Sequence, residues 1–156
     1  LFVIHPIGYY CGEAPTAEQI QARGAPVCLN TNVRDGPMCL QGDADPNSPA
    51  VWCQENTITD SSDASINYFL WWSPCTKCGT AWRMYDVQDD DKSHYKLLEP
   101  DEPAPGDVPG SSGYNNITGV DNEWLEWDTY TGSWFATTVE IESCPMEDLN
   151  EAGIPS

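Results

Sequence analysis

The run Ile66-Asn67-Tyr68-Phe69-Leu70-Trp71-Trp72 carries the strongest strand pattern in the chain and indicates a β-sheet fold. Its even-numbered residues share one face under the two-residue period of a β-strand, and beyond Asn67 the other face is apolar as well. This is the pattern of a central strand. After the connection 73–80, the run Trp82-Arg83-Met84-Tyr85-Asp86-Val87 is predicted to be the partner strand of a β-hairpin.

Shorter patterns on either side extend this sheet. Residues 27–40 contain the turn Asp35-Gly36-Pro37 between two extended pieces, and strands are also predicted at 51–53, 94–98 and 124–127. The alternation over 134–142 predicts one continuous final strand. Thr16, with Gln19 three residues later, has the pattern of a capping box, so a short helix is expected to begin there and to stop at Gly24.

These elements predict a mostly β protein: a disulfide-stapled antiparallel β-sheet or sandwich with long loops and one short N-terminal helix. Residues 1–10 form an apolar N-terminal extension, 11–144 a single β-rich domain, and 145–156 an acidic C-terminal tail. The stretch 99–119 is rich in Pro, Gly, Ser, Asp and Asn, and its prolines remove the donors that a central strand needs. We expect a long surface loop there.

The charge balance excludes several partners. Six Lys and Arg residues against 25 Asp and Glu residues give the 156-residue chain a formal net charge of −19. Such a chain repels phosphate backbones and anionic headgroups, so neither nucleic acid nor an anionic membrane surface is an expected partner. No apolar run approaches the roughly 18–20 residues that span a bilayer, so membrane insertion is not expected either.

The cysteines and one sequon predict the compartment. The disulfide candidates are Cys11, Cys28, Cys39, Cys53, Cys75, Cys78 and Cys144. Their spread along a loop-rich chain is typical of a disulfide framework formed in an oxidising compartment. Because their number is odd, one thiol is left over or one bond joins two molecules, and the connectivity stays open. Asn116-Ile117-Thr118 is an N-glycosylation sequon, with Asn116 as the acceptor. We therefore expect a secreted or cell-surface protein.

Spaced aromatic residues and turns give the chain a resemblance to a known class of modules. In order, they are Asp35-Gly36-Pro37-Met38, Tyr68-Phe69-Leu70, Trp82-Arg83-Met84-Tyr85-Asp86, Tyr95, Pro103, Pro105, Trp124-Leu125-Glu126-Trp127, Gly132-Ser133-Trp134 and Val139-Glu140-Ile141. This series resembles small β-rich modules that occur singly or in tandem in large secreted proteins of algae and marine invertebrates. The match covers about two-thirds of the chain, with Met38 where those modules have an aromatic residue. The resemblance implies an extracellular building block and carries over no catalytic residue.

Two motifs bear on redox and metal chemistry. Cys75-x-x-Cys78 lacks the strand-to-helix setting of a redox site and the second ligand pair of a zinc site, so a structural disulfide is expected. Asp43-x-Asp45-x-Asn47 matches the first ligand positions of a calcium loop, but the Gly and the final Glu of an EF-hand are missing. No cofactor is expected, and a solvated acidic loop is the expected interpretation. The alternative is an irregular calcium site at Asp43, Asp45 and Asn47, or at the run Asp89-Asp90-Asp91.

Catalysis is not expected. Only His5 and His94 could act as bases at neutral pH, and neither sits in a hydrolase motif. Glu123, Glu126 and Asp128 could supply a carboxylate pair for glycoside hydrolysis. Acidic residues are so frequent in this chain, however, that two of them close together in sequence indicate little.

Seven tryptophans are many for a chain of this length. Exposed indole faces stack on sugar rings or form interface hot spots, whereas buried ones fill a core that is short of Leu and Ile. We expect Trp72, Trp82 and Trp124 inside. The candidate glycan or protein contacts are the tryptophans beside turns or on an opposite strand face: Trp71, Trp127 and Trp134.

The leading hypothesis is a non-enzymatic secreted structural or adhesive protein, a self-associating subunit of an extracellular fibre, surface coat or matrix. Its apolar N-terminal residues would pair with a neighbouring copy or with other extracellular matrix or surface proteins; these residues are Leu1, Phe2, Val3 and Ile4. Packing of the same residues into their own core is the alternative. Two further classes stay open: a carbohydrate-binding, lectin-like module that binds glycans through tryptophan, and a small secreted hydrolase.

Overall fold

One nine-stranded antiparallel sheet organises the described part of the chain. The computed structural model describes residues 12–23, 26–35, 37–42, 49–54, 67–73, 79, 81–89, 92–97, 117 and 122–144. In chain order the elements are helix α1 (Ala17–Arg23) and strands β1 (Cys28–Thr31), β2 (Met38–Leu40), β3 (Trp52–Gln54), β4 (Tyr68–Ser73), β5 (Ala81–Tyr85), β6 (Tyr95–Leu97), β7 (Trp124–Asp128), β8 (Ser133–Thr137) and β9 (Ile141–Ser143).

The strand order along the sheet is β8-β7-β6-β5-β4-β3-β2-β1-β9. The predicted central hairpin is formed by β4 and β5, and Trp72 lies opposite Trp82 in it. Helix α1 begins with the predicted capping box: the Gln19 N–H donates to Thr16 Oγ1 at 3.1 Å, and the Thr16 N–H donates to Gln19 Oε1 at 2.9 Å. The prediction of a mostly β, disulfide-linked antiparallel sheet with one short helix is confirmed.

The sheet curls until its two edge strands approach each other. Strands β8 and β9 lie at opposite ends of the strand order, yet only residues 138–140 separate them in the chain. The edges of a flat nine-stranded sheet would lie roughly 38 Å apart at a spacing of ~4.8 Å per strand. The extended link between Thr137 and Ile141 spans at most ~14 Å. The sheet must therefore curl strongly around one of its faces.

The prediction of one continuous strand over 134–142 is wrong, because β8 ends at Thr137 and β9 begins at Ile141. The side-chain amide of Asn32, directly after β1, fixes this break. Its Nδ2 donates to the Thr138 carbonyl at 3.0 Å, and its Oδ1 accepts a hydrogen bond from the Glu140 N–H at 2.8 Å. Strand β9 then pairs with β1 instead of continuing beside β7.

The hydrophobic core lies on the face that the sheet curls around. Its largest members are tryptophans: Trp52, Trp82 and Trp124 are at most 2% exposed, and the Trp52 and Trp82 ring centroids lie 6.2 Å apart. Half-buried Trp72 packs edge-on against Trp82. Burial of one large apolar side chain contributes about 1.5–3 kcal/mol, so a few bulky residues offset the small number of Leu and Ile.

Cysteines fasten one edge of the sheet. A disulfide joins Cys28 on β1 to Cys144 directly after β9, and the Cys144 N–H donates to the Cys28 carbonyl at 3.1 Å. Cys53 is also disulfide-bonded, and Cys39 is buried on β2 between the register positions of Cys28 and Cys53. The other cysteines, Cys11, Cys75 and Cys78, lie outside the described residues, as do the extension 1–10 and the tail 145–156.

Candidate functional site

Strand alternation turns a second set of side chains away from the core. Arg83 lies between the core residues Trp82 and Met84, and Lys96 lies between Tyr95 and buried Leu97. Neighbouring residues of a strand point to opposite faces of the sheet. Arg83 and Lys96 are register partners on β5 and β6, so both side chains belong to the outer face. By the same alternation Tyr85, Trp127 and Trp134 follow the outer face of β5, β7 and β8.

These outer-face side chains line a cavity of about 400 Å³. Small-molecule sites typically occupy about 300–1,000 Å³ and combine apolar walls with a few polar groups. The lining residues come from β5 to β8 and the segments that join them: Arg83, Tyr85, Lys92, Ser93, His94, Lys96, Trp127, Thr129 and Trp134. Aromatic rings, hydroxyl groups and cations therefore converge on one space.

Two tryptophans form the aromatic wall of this cavity. Trp127 and Trp134 lie opposite each other on β7 and β8, with ring centroids 5.3 Å apart and an interplanar angle of 64°. Both are half-buried. The ammonium nitrogen of Lys96 lies 4.3 Å from the Trp134 ring centroid, a cation–π distance. The wall thus presents apolar ring surface directly beside a positive charge.

Arg83 forms the fixed floor of the cavity. It is 2% exposed, its Nη1 donates to Ser93 Oγ at 2.8 Å, and its Nη2 donates to the Gly79 carbonyl at 2.6 Å. Burial, and after it the charge of Arg83, lowers the pKa of Lys96 below the usual value of a lysine. The two cations therefore share a partly dehydrated space.

The turn between β7 and β8 forms the rim. Asp128 Oδ1 accepts hydrogen bonds from the N–H groups of Tyr130 at 2.8 Å and Thr131 at 3.4 Å. These bonds, led by the one from Tyr130, lower the pKa of the Asp128 carboxyl. Gly132 closes the turn with φ +67°, a conformation that side chains other than glycine rarely adopt. This geometry places Thr129 at the cavity and leaves Tyr130 99% exposed beside it.

The candidate hydrolase residues have structural contacts. Glu126 Oε2 lies 3.2 Å from His94 Nε2, and Glu126 Oε1 accepts a hydrogen bond from Thr137 Oγ1 at 3.2 Å. Asp128 holds the turn described above, and Glu123 is exposed before β7. His5 lies outside the described residues. The expectation that the protein is not an enzyme stays a prediction.

The structure places some of the tryptophans where the sequence predicted them and others elsewhere. Trp127 and Trp134 come together at the cavity, and Trp82 and Trp124 are buried as expected. The prediction that Trp71 lies at the surface is wrong, since it is only 5% exposed. Trp71 belongs to β4, a central strand with paired neighbours on both sides, and it is buried although it does not belong to the core cluster.

Other predicted site residues lie outside the described residues, so their predictions stand unchanged. These are the self-association segment Leu1, Phe2, Val3 and Ile4, the calcium candidates Asp43, Asp45 and Asn47, and the glycosylation acceptor Asn116. Within the described part of the chain, no group of three His, Cys, Asp or Glu residues could hold a metal ion. In that same part, no helix is long and apolar enough to cross a membrane.

Sequence reasoning missed the cationic side of the cavity: Arg83, Lys92 and Lys96. A signal for it was present, because half of the six Lys and Arg residues fall between positions 83 and 96. In a chain with 25 acidic residues, such a cluster indicates a local need for positive charge.

Comparison of the chain with protein-family models, curated proteins and solved structures gives no match. The resemblance to secreted β-rich modules stays a prediction.

Proposed function

We propose that the protein is a secreted carbohydrate-binding protein and that the cavity between β5 and β8 holds the saccharide. The observation that carries this proposal is the Trp127–Trp134 pair, which forms one wall of a 400 Å³ cavity with hydrogen-bonding groups around it. Sugar rings have an apolar C–H face and a rim of hydroxyl groups. Indole rings suit the face, and side chains such as Ser93 and Thr129 suit the rim.

The disulfide supports the secreted part of the proposal. Disulfides persist in oxidising compartments and are rare where thiols are kept reduced. The Cys28–Cys144 bond joins residues 116 positions apart, and Cys53 is bonded as well. A disulfide-linked sheet with an open cavity fits a protein that meets its ligand outside the cell.

The test compares two neighbouring aromatic residues on β8. Trp134 lines the cavity, whereas Phe135 points to the other face and is 44% exposed. A panel of soluble oligosaccharides is titrated while tryptophan fluorescence is recorded, and the best binder is retested on the variants. We expect Trp134→Ala to weaken binding by about tenfold or more, and Phe135→Ala to bind as the wild type does.

Thermal melting of both variants checks that they are folded. Two results would overturn the proposal: no saccharide in the panel binds the wild type with a Kd below about 1 mM, or Trp134→Ala binds as tightly as the wild type.

A second candidate, self-association through a sheet edge, is supported by the exposure of β8. This strand ends the described strand order, and it carries exposed Phe135 and Ala136 with no Lys or Pro. An apolar edge strand of this kind accepts another strand by β-augmentation, and residues 1–4 of a neighbouring copy have suitable chemistry.

Sedimentation velocity tests this second candidate. Self-association predicts assemblies that dissociate both in Phe135→Lys and after deletion of residues 1–4, whereas Trp134→Ala keeps them. A wild-type protein that sediments as a monomer at high concentration would refute it.

A further inference from the structure

The cavity collects positive charge in a chain that has little of it. Arg83, Lys92 and Lys96 line it, which is half of the six Lys and Arg residues in the sequence. Among the described residues that line the cavity, none is Asp or Glu, although the chain has 25 of these. The charge of the cavity is therefore opposite to the net charge of the molecule, and a ligand selected there by charge is an anion.

Two of these cations face each other across neighbouring strands. Arg83 on β5 and Lys96 on β6 are direct register partners, and like charges directly opposite each other destabilise a sheet. Arg83 is held in place by its bonds to Ser93 and to the Gly79 carbonyl. Lys96 is half-buried, and its pKa is lowered by burial and then by Arg83. An anion beside Lys96 would offset this repulsion and form a charge-assisted hydrogen bond.

The positive charge and the aromatic wall are close enough to act on one ligand residue. The Lys96 ammonium nitrogen lies 4.3 Å from the centre of the Trp134 ring. Building on the carbohydrate-binding function above, we propose that the cavity selects acidic saccharides, with a carboxylate or sulfate group at Lys96 and the sugar ring against the Trp127–Trp134 pair. The acidic group is thus a substituent of the ring that contacts the indoles.

Matched sugars test this preference by isothermal titration calorimetry. Oligogalacturonate is compared with its methyl ester, which keeps the ring and removes the charge. A sulfated galactan oligosaccharide is compared with its desulfated form. We expect at least one acidic sugar to bind about tenfold more tightly than its neutral partner, and the stronger pair identifies the carboxylate or the sulfate as the recognised group.

Charge-matched variants test whether Lys96 is the source of the preference for acidic sugars. Lys96→Met and Arg34→Met both change the net charge by −1, but Arg34 lies over the Tyr68 ring and does not line the cavity. We expect Lys96→Met to lose about tenfold in affinity for the acidic sugar and to bind the neutral sugar unchanged, while Arg34→Met and Lys96→Arg keep both affinities. Thermal melting of each variant without ligand checks that it is folded.

The outcomes separate the two proposals. If acidic and neutral sugars bind equally and both need Trp134, the carbohydrate function stands and the acidic preference is refuted. If Lys96→Met binds the acidic sugar as the wild type does, the assignment of the charge to this cavity is refuted. If none of the four sugars binds while a neutral saccharide of the panel does, the acidic preference is refuted and the carbohydrate function stands; if no saccharide of the whole panel binds either, both proposals are refuted.

Discussion

Removal of the Cys28–Cys144 disulfide should destabilise the protein more than any other small change in the described residues. The bond closes a loop of 116 residues, and the loop-closure relation gives about 4.8 kcal/mol for a loop of that length. The relation is logarithmic, so a second crosslink at Cys53 that shortens the loop alters the value by only a few tenths of a kcal/mol. Small domains have a free energy of unfolding of about 5–15 kcal/mol, so loss of this bond would remove a large part of the stability of the protein.

The assay is urea unfolding followed by fluorescence, with the free energy of unfolding extrapolated to water. The main variant is Cys28→Val/Cys144→Val, because valine retains side-chain volume at two positions that are at most 5% exposed. We expect it to lose about 4–5 kcal/mol. The Cys28→Ala/Cys144→Ala variant should lose roughly 1–2 kcal/mol more, from lost packing. A valine variant within about 1 kcal/mol of the wild type would refute the view that this crosslink holds the edge strand β9.

Three further predictions concern individual side chains. Asn32→Ala removes both hydrogen bonds to residues 138–140 and should lower the free energy of unfolding, measured in urea, by roughly 1–2 kcal/mol; Asn32→Asp should lose about half as much. No loss in Asn32→Ala would contradict the role of Asn32 in separating β8 from β9. Burial raises the pKa of Tyr68 to about 12, so an absorbance titration should show one phenol that ionises near pH 12 and is missing in Tyr68→Phe. The contribution of the neutral Tyr68 phenol to the free energy of unfolding should be complete below about pH 10 and vanish as the pH rises towards 12. Asp128→Ala should lower the melting temperature at pH 7 more than at pH 3. Folding lowers the pKa of this carboxyl, so the stability that the carboxylate contributes is lost as the pH falls through the pKa of the folded state. An equal loss at both pH values would contradict the role of Asp128 in holding the β7–β8 turn.

Elements that depend on neighbours in the sequence were predictable. The β4–β5 hairpin follows from alternation in two adjacent runs, and the start of α1 follows from Thr16 and Gln19, three residues apart. The break at 138–140 was not predictable in this way. It depends on Asn32, which is 106 residues away from Thr138 and is brought there only by the pairing of β1 with β9.

The site was predictable in part for the same reason. Trp127 and Trp134 flank one tight turn, so their meeting follows from a local hairpin. Arg83 and Lys96 meet through the register of β5 with β6, which the pattern of either strand alone does not fix. The surface prediction for Trp71 failed because it treated the face opposite the core as exposed everywhere, whereas on the central strand β4 this side chain is only 5% exposed.

The positive cavity also has a consequence for solution behaviour. Exposed charges farther apart than about 8 Å are largely screened at physiological ionic strength. An acidic saccharide therefore experiences the cations of the cavity, such as Lys92 and Lys96, once it is close, while the net charge of −19 acts mainly at low salt. The association rate should rise with salt at low ionic strength, and the affinity should fall at high salt.

Saccharide binding at the Trp127–Trp134 pair can be observed directly in a ¹H–¹⁵N spectrum of the indole N–H groups during titration with an acidic oligosaccharide. The chain has seven tryptophans, and each contributes one indole signal that is assigned by substitution. We expect the signals of Trp127 and Trp134 to shift together and to saturate, while those of the core residues Trp52, Trp82 and Trp124 stay in place. Shifts confined to other tryptophans, or no shift at any sugar concentration, would refute saccharide binding in this cavity.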